Sequence, residues 1–138
     1  MTSYLKAMAR WQNELYYAGP NENDQLWIVK IDGQEYRTQE VFEQSRDRQL
    51  KLVPIKELEE WYREKMTARW KGEPFNVTSV VDGKAHAGYA GGEYVWAAQQ
   101  GLDGDQYNGY NGTFDVDELA DVRVDRTDYL ARWKENRG

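Results

Sequence analysis

His86 is the residue best suited to acid–base chemistry, since it is the only histidine in the 138-residue chain. An imidazole acts as a general base when an acid orients it and a substrate proton lies within reach. Its small neighbours Ala85, Ala87 and Gly88 leave room for a ligand but equally suit a crowded sheet face, so an aromatic pocket here is an alternative hypothesis. Its predicted lining residues are His86, Tyr89, Tyr94 and Trp96, with Glu93 or Asp115 as a base. A single histidine without a neighbouring nucleophile is more often structural, so both interpretations stay open.

The segment that begins at Asp103 invites comparison with a calcium-binding loop. An EF-hand loop takes oxygen ligands from positions 1, 3 and 5, glycine at position 6 and glutamate at position 12. Counted from Asp103, positions 5, 6 and 12 hold Tyr107, Asn108 and Phe114, so the pattern fails. We therefore predict no metal site and no cofactor. A different cation site built from Asp103, Asp105 and Asp115 or Asp117 is kept as an alternative.

Other catalytic chemistries lack their residues. The chain has no cysteine, which excludes disulfides, thiolate catalysis and zinc fingers. Its serines, Ser3, Ser45 and Ser79, lie outside any G-x-S-x-G turn. The glycines of segment 88–92 do not form a phosphate-binding loop, because the following lysine and hydroxyl residue are missing. We therefore expect binding rather than catalysis.

Three segments show the apolar spacing of amphipathic helices, and these would position the candidate residues. The predicted helices cover about 3–17, 54–71 and 127–136. The second is the clearest, because Pro54 suits a first helical turn and Gly72 suits a helix end. A further short helix is predicted near 39–47.

The remaining segments favour strands. These are predicted at 26–31, 34–37, 50–53, 75–81, 84–90, 93–98 and 121–124, with a helical turn at 115–119 and a long loop over 99–113. Asp32-Gly33 and Asp82-Gly83 are typical two-residue hairpin turns. Six Trp and ten Tyr compensate for few aliphatic residues and indicate an aromatic-rich core. The pattern predicts a single α+β domain over 1–138, an antiparallel or mixed twisted sheet with helices mainly on one face.

The net charge of −6 is unevenly distributed. Residues 1–72 are neutral, residues 122–138 carry +2, and residues 73–121 hold nine acidic residues and one basic residue, a net of −8. The same middle segment is rich in glycine and tyrosine, which suits a recognition loop. An ordinary exposed loop with turn-forming residues is the alternative.

This charge pattern predicts a small acidic protein that binds and occludes a basic partner, such as a nuclease or another nucleic-acid-binding protein. Immunity proteins that neutralise nuclease toxins and phage-encoded inhibitors of host defence are functional classes it could join. A concentrated negative surface speeds association with a basic cleft. The predicted binding residues are Glu93, Asp103, Asp105, Tyr107, Tyr110, Asp115, Asp117 and Glu118.

Two further classes stay open, a small-ligand binder or modest enzyme around His86 and a structural or assembly subunit. Direct nucleic-acid binding is not expected, because the whole chain is acidic and its C-terminal basic residues are interspersed with acids. The sequence lacks a long apolar run, so we expect no membrane association and a cytoplasmic location.

Overall fold

The computed structural model describes residues 2–4 and 6–137, and this part of the chain is mainly antiparallel β-sheet. About 55% of it is strand and 16% is helical. The predicted α+β class is therefore wrong. The strands are β1 (Thr2–Ser3), β2 (Met8–Trp11), β3 (Glu14–Glu22), β4 (Gln25–Val29), β5 (Glu43–Ser45), β6 (Arg48–Pro54), β7 (Glu60–Trp70), β8 (Glu73–Val81), β9 (Lys84–Tyr89), β10 (Asp103–Asp105), β11 (Gly109–Asp115) and β12 (Ala120–Asp128). The helices are α1 (Tyr94–Gln99) and α2 (Tyr129–Arg137), with 3-10 turns at Ile55–Glu57 and Val116–Glu118.

Two of the three main predicted helices are strands. Leu5 lies outside the described residues, and the described part of segment 3–17 contains the end of β1, all of β2 and the first residues of β3. A turn at Gln12 and Asn13, whose φ angles of 51° and 63° are both left-handed, joins β2 to β3. Segment 54–71 forms a 3-10 turn followed by β7. Apolar side chains four residues apart share one face of a strand as well as of a helix, which explains the error. The third prediction, 127–136, is confirmed as α2.

Four smaller predictions also fail. Segment 39–47 contains the short strand β5 instead of a helix, and 34–37 is irregular although the Asp32-Gly33 turn forms. Apart from its first residue, segment 93–98 lies in α1 (Tyr94–Gln99), because Ala97, Ala98 and Gln99 are good helix formers and Ala97 is fully buried. The predicted loop 99–113 contains β10 and most of β11. The strands predicted at 26–31, 50–53, 75–81, 84–90 and 121–124 are confirmed within a few residues.

The chain forms two compact units, and strands β7 and β12 have residues in both. Unit I contains the described residues 2–4 together with 64–125, and its strand order is β10-β11-β9-β8-β7, with β1 also paired to β8. Its core consists of seven buried residues, namely Met66, Ala68, Phe75, Val77, Ala85, Ala87 and Phe114. Around them, Trp70, Tyr89 and Trp96 complete an aromatic cluster.

Unit II contains 6–63 and the described residues of 126–137, with strand order β7-β2-β3-β4-β6-β5. Tyr16 lies at the centre of its core, stacked on Tyr36 and Phe42. Helix α2 is attached through buried Leu130 and through Trp133, whose indole N–H donates to Asp24 Oδ1 at 3.1 Å. Whether the two units make a single domain stays a prediction. In the part of the chain that the structure describes, no helix is long and apolar enough to cross a membrane.

Candidate functional site

The paired end of the hairpin formed by β10 and β11, residues 103–111, carries four of the predicted binding residues. Its register pairs Asp103 with Asn111 and Asp105 with Gly109. The Asp105 Oδ1 atom accepts hydrogen bonds from the backbone N–H groups of Asn108 and Tyr107, each at 2.8 Å. These bonds, together with one from the Asn108 side chain, hold the pKa of Asp105 below its usual value. Asp105 therefore stays ionised while it fixes the turn.

The hairpin depends on Gly104, which has a φ of 113°. A Cβ at this position would overlap the carbonyl oxygen of Gly109 on the opposite strand. Only glycine accommodates both the backbone angle and the close approach. The resulting tight turn presents Tyr107 at its tip, where the side chain is 86% exposed.

Helix α1 lies against β10 and has one inward and one outward face. Ala97 is buried, and the Trp96 ring contacts Trp70 and Tyr89 at centroid distances of 6.0 and 5.5 Å. The outward face leaves Tyr94 46% and Val95 73% exposed. An open groove of about 360 Å³ lies between this face and the hairpin. Its lining residues are Tyr94, Val95, Ala98, Gln99, Gln106 and Tyr110.

Tyr89 fixes the start of α1. Its hydroxyl donates to the Glu73 carboxylate at 2.7 Å and accepts a hydrogen bond from the backbone N–H of Glu93 at 3.0 Å. Burial raises the pKa of Tyr89, and the hydrogen bond to Glu73 adds to this effect. The hydroxyl therefore stays protonated at neutral pH and keeps its hydrogen bond with the Glu93 backbone. This places Glu93 near the end of β9 where Gly88 pairs with Asn111 of the hairpin.

The other three predicted acidic residues lie elsewhere in unit I. Asp115 ends β11, and Asp117 and Glu118 occupy the 3-10 turn that follows. Because β11 spans Gly109–Asp115, about 20 Å of strand separates these residues from the hairpin turn. Asp115 also forms an ion pair with Lys84. The predicted binding set therefore divides into two groups, and only Glu93, Asp103, Asp105, Tyr107 and Tyr110 lie near the groove.

His86 lies on the exposed face of β9, away from the aromatic cluster. Its Nδ1 atom is 3.0 Å from the hydroxyl of Thr113, the residue directly opposite on β11. Tyr89 and Trp96 contact each other on the opposite, core-facing side of β9, which also carries the buried Ala87. The structure therefore does not bring His86, Tyr89, Tyr94 and Trp96 into one pocket. Successive side chains of a strand point to opposite faces, so His86 and Tyr89, three residues apart, lie on different faces of β9. The sequence spacing alone therefore argues against a shared pocket.

No group of three or more His, Cys, Asp or Glu side chains among the described residues could hold a metal ion. The sequence prediction also missed the apolar side of the groove, because reading 93–98 as a strand hid the shared outward face of Val95 and Ala98.

Comparison with protein-family models, curated proteins and solved structures found no match to this chain. The functional argument therefore depends on the geometry and charge of unit I.

Proposed function

We propose that this chain is a small inhibitory protein that binds a basic partner through the surface formed by α1 and the β10–β11 hairpin, here called the hairpin–helix face. One observation carries the proposal. Exposed Tyr94 and Val95 line an open groove together with Tyr110, and exposed Tyr107 directly follows the groove residue Gln106. All four tyrosine and valine residues belong to segment 73–121, whose net charge is −8. Apolar and aromatic anchors surrounded by charge are typical of protein-binding surfaces.

Charge and anchors have different tasks in this proposal. The carboxylates of Glu93, Asp103 and Asp105 attract a basic surface over about 8–10 Å at physiological ionic strength, which raises the association rate. Tyr94 and Tyr107 then exclude water from the contact and slow dissociation, since tyrosine provides a large contact area at a small entropy cost. Asp105 contributes its charge even though its oxygens hold the turn.

The chemistry of the surface favours a partner that normally binds phosphate, such as a nuclease or another nucleic-acid-binding protein. Carboxylates spaced along an exposed hairpin present negative charge as a nucleic-acid backbone does, so such a cleft is occupied and its substrate excluded. The proposal includes a cytoplasmic location, which fractionation of cells that produce the chain at native levels will test.

The test compares wild-type protein with a face variant and a charge-matched control. The face variant combines Asp103→Asn, Glu93→Gln and Tyr107→Ala. The control combines Asp32→Asn and Glu35→Gln, two exposed residues of unit II. It therefore removes two negative charges, as many as the face variant removes. Partners captured from the native host are identified by mass spectrometry, produced recombinantly and titrated against all three proteins at low and high salt.

We expect a basic partner whose affinity falls at least about tenfold for the face variant, equivalent to about 1.4 kcal/mol. We expect the control to bind like wild type at physiological salt. Equal losses in both variants would reduce the effect to net charge and contradict a defined face. An affinity that does not change with salt would contradict electrostatic recognition.

A further inference from the structure

Strand β12 has an unusual environment in the described part of unit I. Every residue from Ala120 to Asp125 is exposed, and β7 is its only neighbouring strand among the described residues. Val122 and Val124 are 47% and 48% exposed on the same face of the strand. A long edge strand with exposed valines is a template for pairing with another strand.

The order of side chains along β12 determines which strand fits this edge. In a twofold-symmetric antiparallel pair, the central residue lies opposite its own counterpart, and its two neighbours lie opposite each other. With Val124 at the centre, Arg123 of each copy faces Asp125 of the other. With Arg123 or Asp125 at the centre, two like charges face each other instead. The sequence of β12 is therefore complementary to itself in the Val124 register.

We propose that two copies of the chain associate through antiparallel pairing of their β12 strands, centred on Val124. Arg123 Nε and Asp125 Oδ1 already lie 3.0 Å apart within one strand. In the pair, these two side chains and their counterparts form an alternating group of four charges on one face of the sheet. On the other face the two Val124 side chains contact each other, so part of their exposed area is removed from water.

The expected dimer is reversible. Stable interfaces usually bury about 1,200–2,000 Å² in total, and a few residues of edge pairing bury less. The surface is separate from the hairpin–helix face, so the dimer and the proposed function stand or fall independently.

The absence of cysteine from the chain makes disulfide trapping a direct test of register. In the Val124 register, the two Val124→Cys residues lie directly opposite, with Cα atoms about 4.5–5.5 Å apart, which a disulfide can join. The two Val122→Cys residues lie about 14 Å apart and cannot be joined. The two valines share a face and a similar exposure, so Val122→Cys is the matched control.

Each purified variant is oxidised at several protein concentrations and analysed on a non-reducing gel, with circular dichroism as the check of folding. We expect Val124→Cys to form covalent dimer at least about tenfold faster than Val122→Cys. Equal rates, faster trapping of Val122→Cys, or no dimer from folded Val124→Cys would overturn the proposal.

Charge reversal without cysteine gives an independent measurement by sedimentation equilibrium. Arg123→Glu alone places four acidic groups together and should weaken the dimer at least about tenfold, as should Asp125→Arg alone through four basic groups. The double variant restores opposite charges across the axis and should recover wild-type dimerisation. Lys134→Glu, an exposed site on α2, has the same charge change as Arg123→Glu and should leave the dimer unchanged. A wild-type chain that stays monomeric at all concentrations, or a double variant that is not rescued, would overturn the proposal.

Discussion

The buried hydroxyl of Tyr16 has no hydrogen-bond partner among the described residues, and this predicts that Tyr16→Phe stabilises the protein. The Tyr16 side chain is fully buried, and its ring stacks on Tyr36 at a centroid distance of 4.7 Å and on Phe42 at 5.7 Å. Phenylalanine keeps these ring contacts and removes only the oxygen. Tyr36 is the matched control, since its hydroxyl donates to the Leu15 carbonyl at 2.6 Å and accepts from the Ile31 N–H at 2.9 Å.

The expected magnitude follows from two opposing effects. An unpaired buried hydroxyl costs about 1–3 kcal/mol in proteins. The void left by the oxygen, about 10–15 Å³, costs about 0.3 kcal/mol at ~24 cal/mol per Å³. We therefore expect Tyr16→Phe to raise the free energy of unfolding by about 1 kcal/mol, or the melting temperature by about 3–5 °C. Tyr36→Phe removes the acceptor of the Ile31 N–H and leaves the Leu15 carbonyl with only the long hydrogen bond from Gln34 Nε2 at 3.4 Å. It should therefore lower the unfolding free energy by about 1–3 kcal/mol.

Urea titration at neutral pH measures both changes, and a second titration series in alkali tests the cause. Burial raises the pKa of Tyr16 above its ordinary value of 10.0, with the Glu14 charge adding to the shift. The unfolded chain therefore loses this proton first, and the stability present below pH 10 is lost as pH rises further. Tyr16→Phe should reduce that alkaline loss. A Tyr16→Phe variant that is destabilised by about 1 kcal/mol or more would show that the hydroxyl has a partner, and the reasoning would be refuted.

Three further predictions concern the scaffold of the site and the acid stability of unit II. Gly104→Ala should cost well over about 1 kcal/mol, because a left-handed φ and a backbone clash combine, whereas Gly101→Ala, with a φ of 77° and no close atom, should cost only about 1 kcal/mol; thermal melts compare them, and equal costs would contradict the clash. Phe75→Ala, at the centre of the unit I core, should cost about 3–5 kcal/mol in urea titration, and a cost below about 1 kcal/mol would contradict its packing. The hydrogen bond from Arg10 holds the pKa of Glu60 below its usual value, so stability present above pH 4.5 is lost as pH falls through the lower folded pKa. Glu60→Gln should flatten this acid loss, and an unchanged pH profile would contradict it.

Apolar residues in the sequence predicted where the core lies better than which elements form it. Tyr62, Met66 and Trp70 are separated by four residues, a spacing that fits a helix and also places all three on one face of a strand. The intervening basic residues decide between the two, since Lys65 and Arg69 alternate with buried Met66 and Ala68 as a two-residue period requires. Met66 is buried in the unit I core and Trp70 packs against that core, so the apolar spacing marks core positions although the segment is a strand and not the predicted helix.

Turn chemistry explains most of the remaining error. Asp82-Gly83 was recognised because Asp-Gly pairs commonly adopt the two left-handed angles of a tight hairpin. Gln12-Asn13 and Asn23-Asp24 adopt the same angles, with φ between 47° and 63°, without glycine. Non-glycine residues reach this region at a local cost that strand pairing on both sides offsets, which sequence propensity does not report. The turn at Gln12-Asn13 joins β2 to β3, and the turn at Asn23-Asp24 joins β3 to β4. Predicting a helix over 3–17 therefore concealed the strands on one or both sides of each turn.

The sheet order of unit I changes what the negative segment means. Counted along the chain, residues 73–121 hold nine acidic residues and one basic residue, a net of −8. The rest of unit I adds four basic residues (Lys65, Arg69, Lys71 and Arg123) and two acidic ones (Glu64 and Asp125), so the unit holds eleven acidic and five basic residues. Strand order β10-β11-β9-β8-β7 places the acidic hairpin about 19 Å from basic β7, at about 4.8 Å per strand. Because the acidic hairpin lies at one side of the sheet, the negative charge of unit I is unevenly distributed across it. Under the proposed function, we therefore expect a basic partner to approach unit I from the hairpin side, where Asp103, Asp105 and Tyr107 lie.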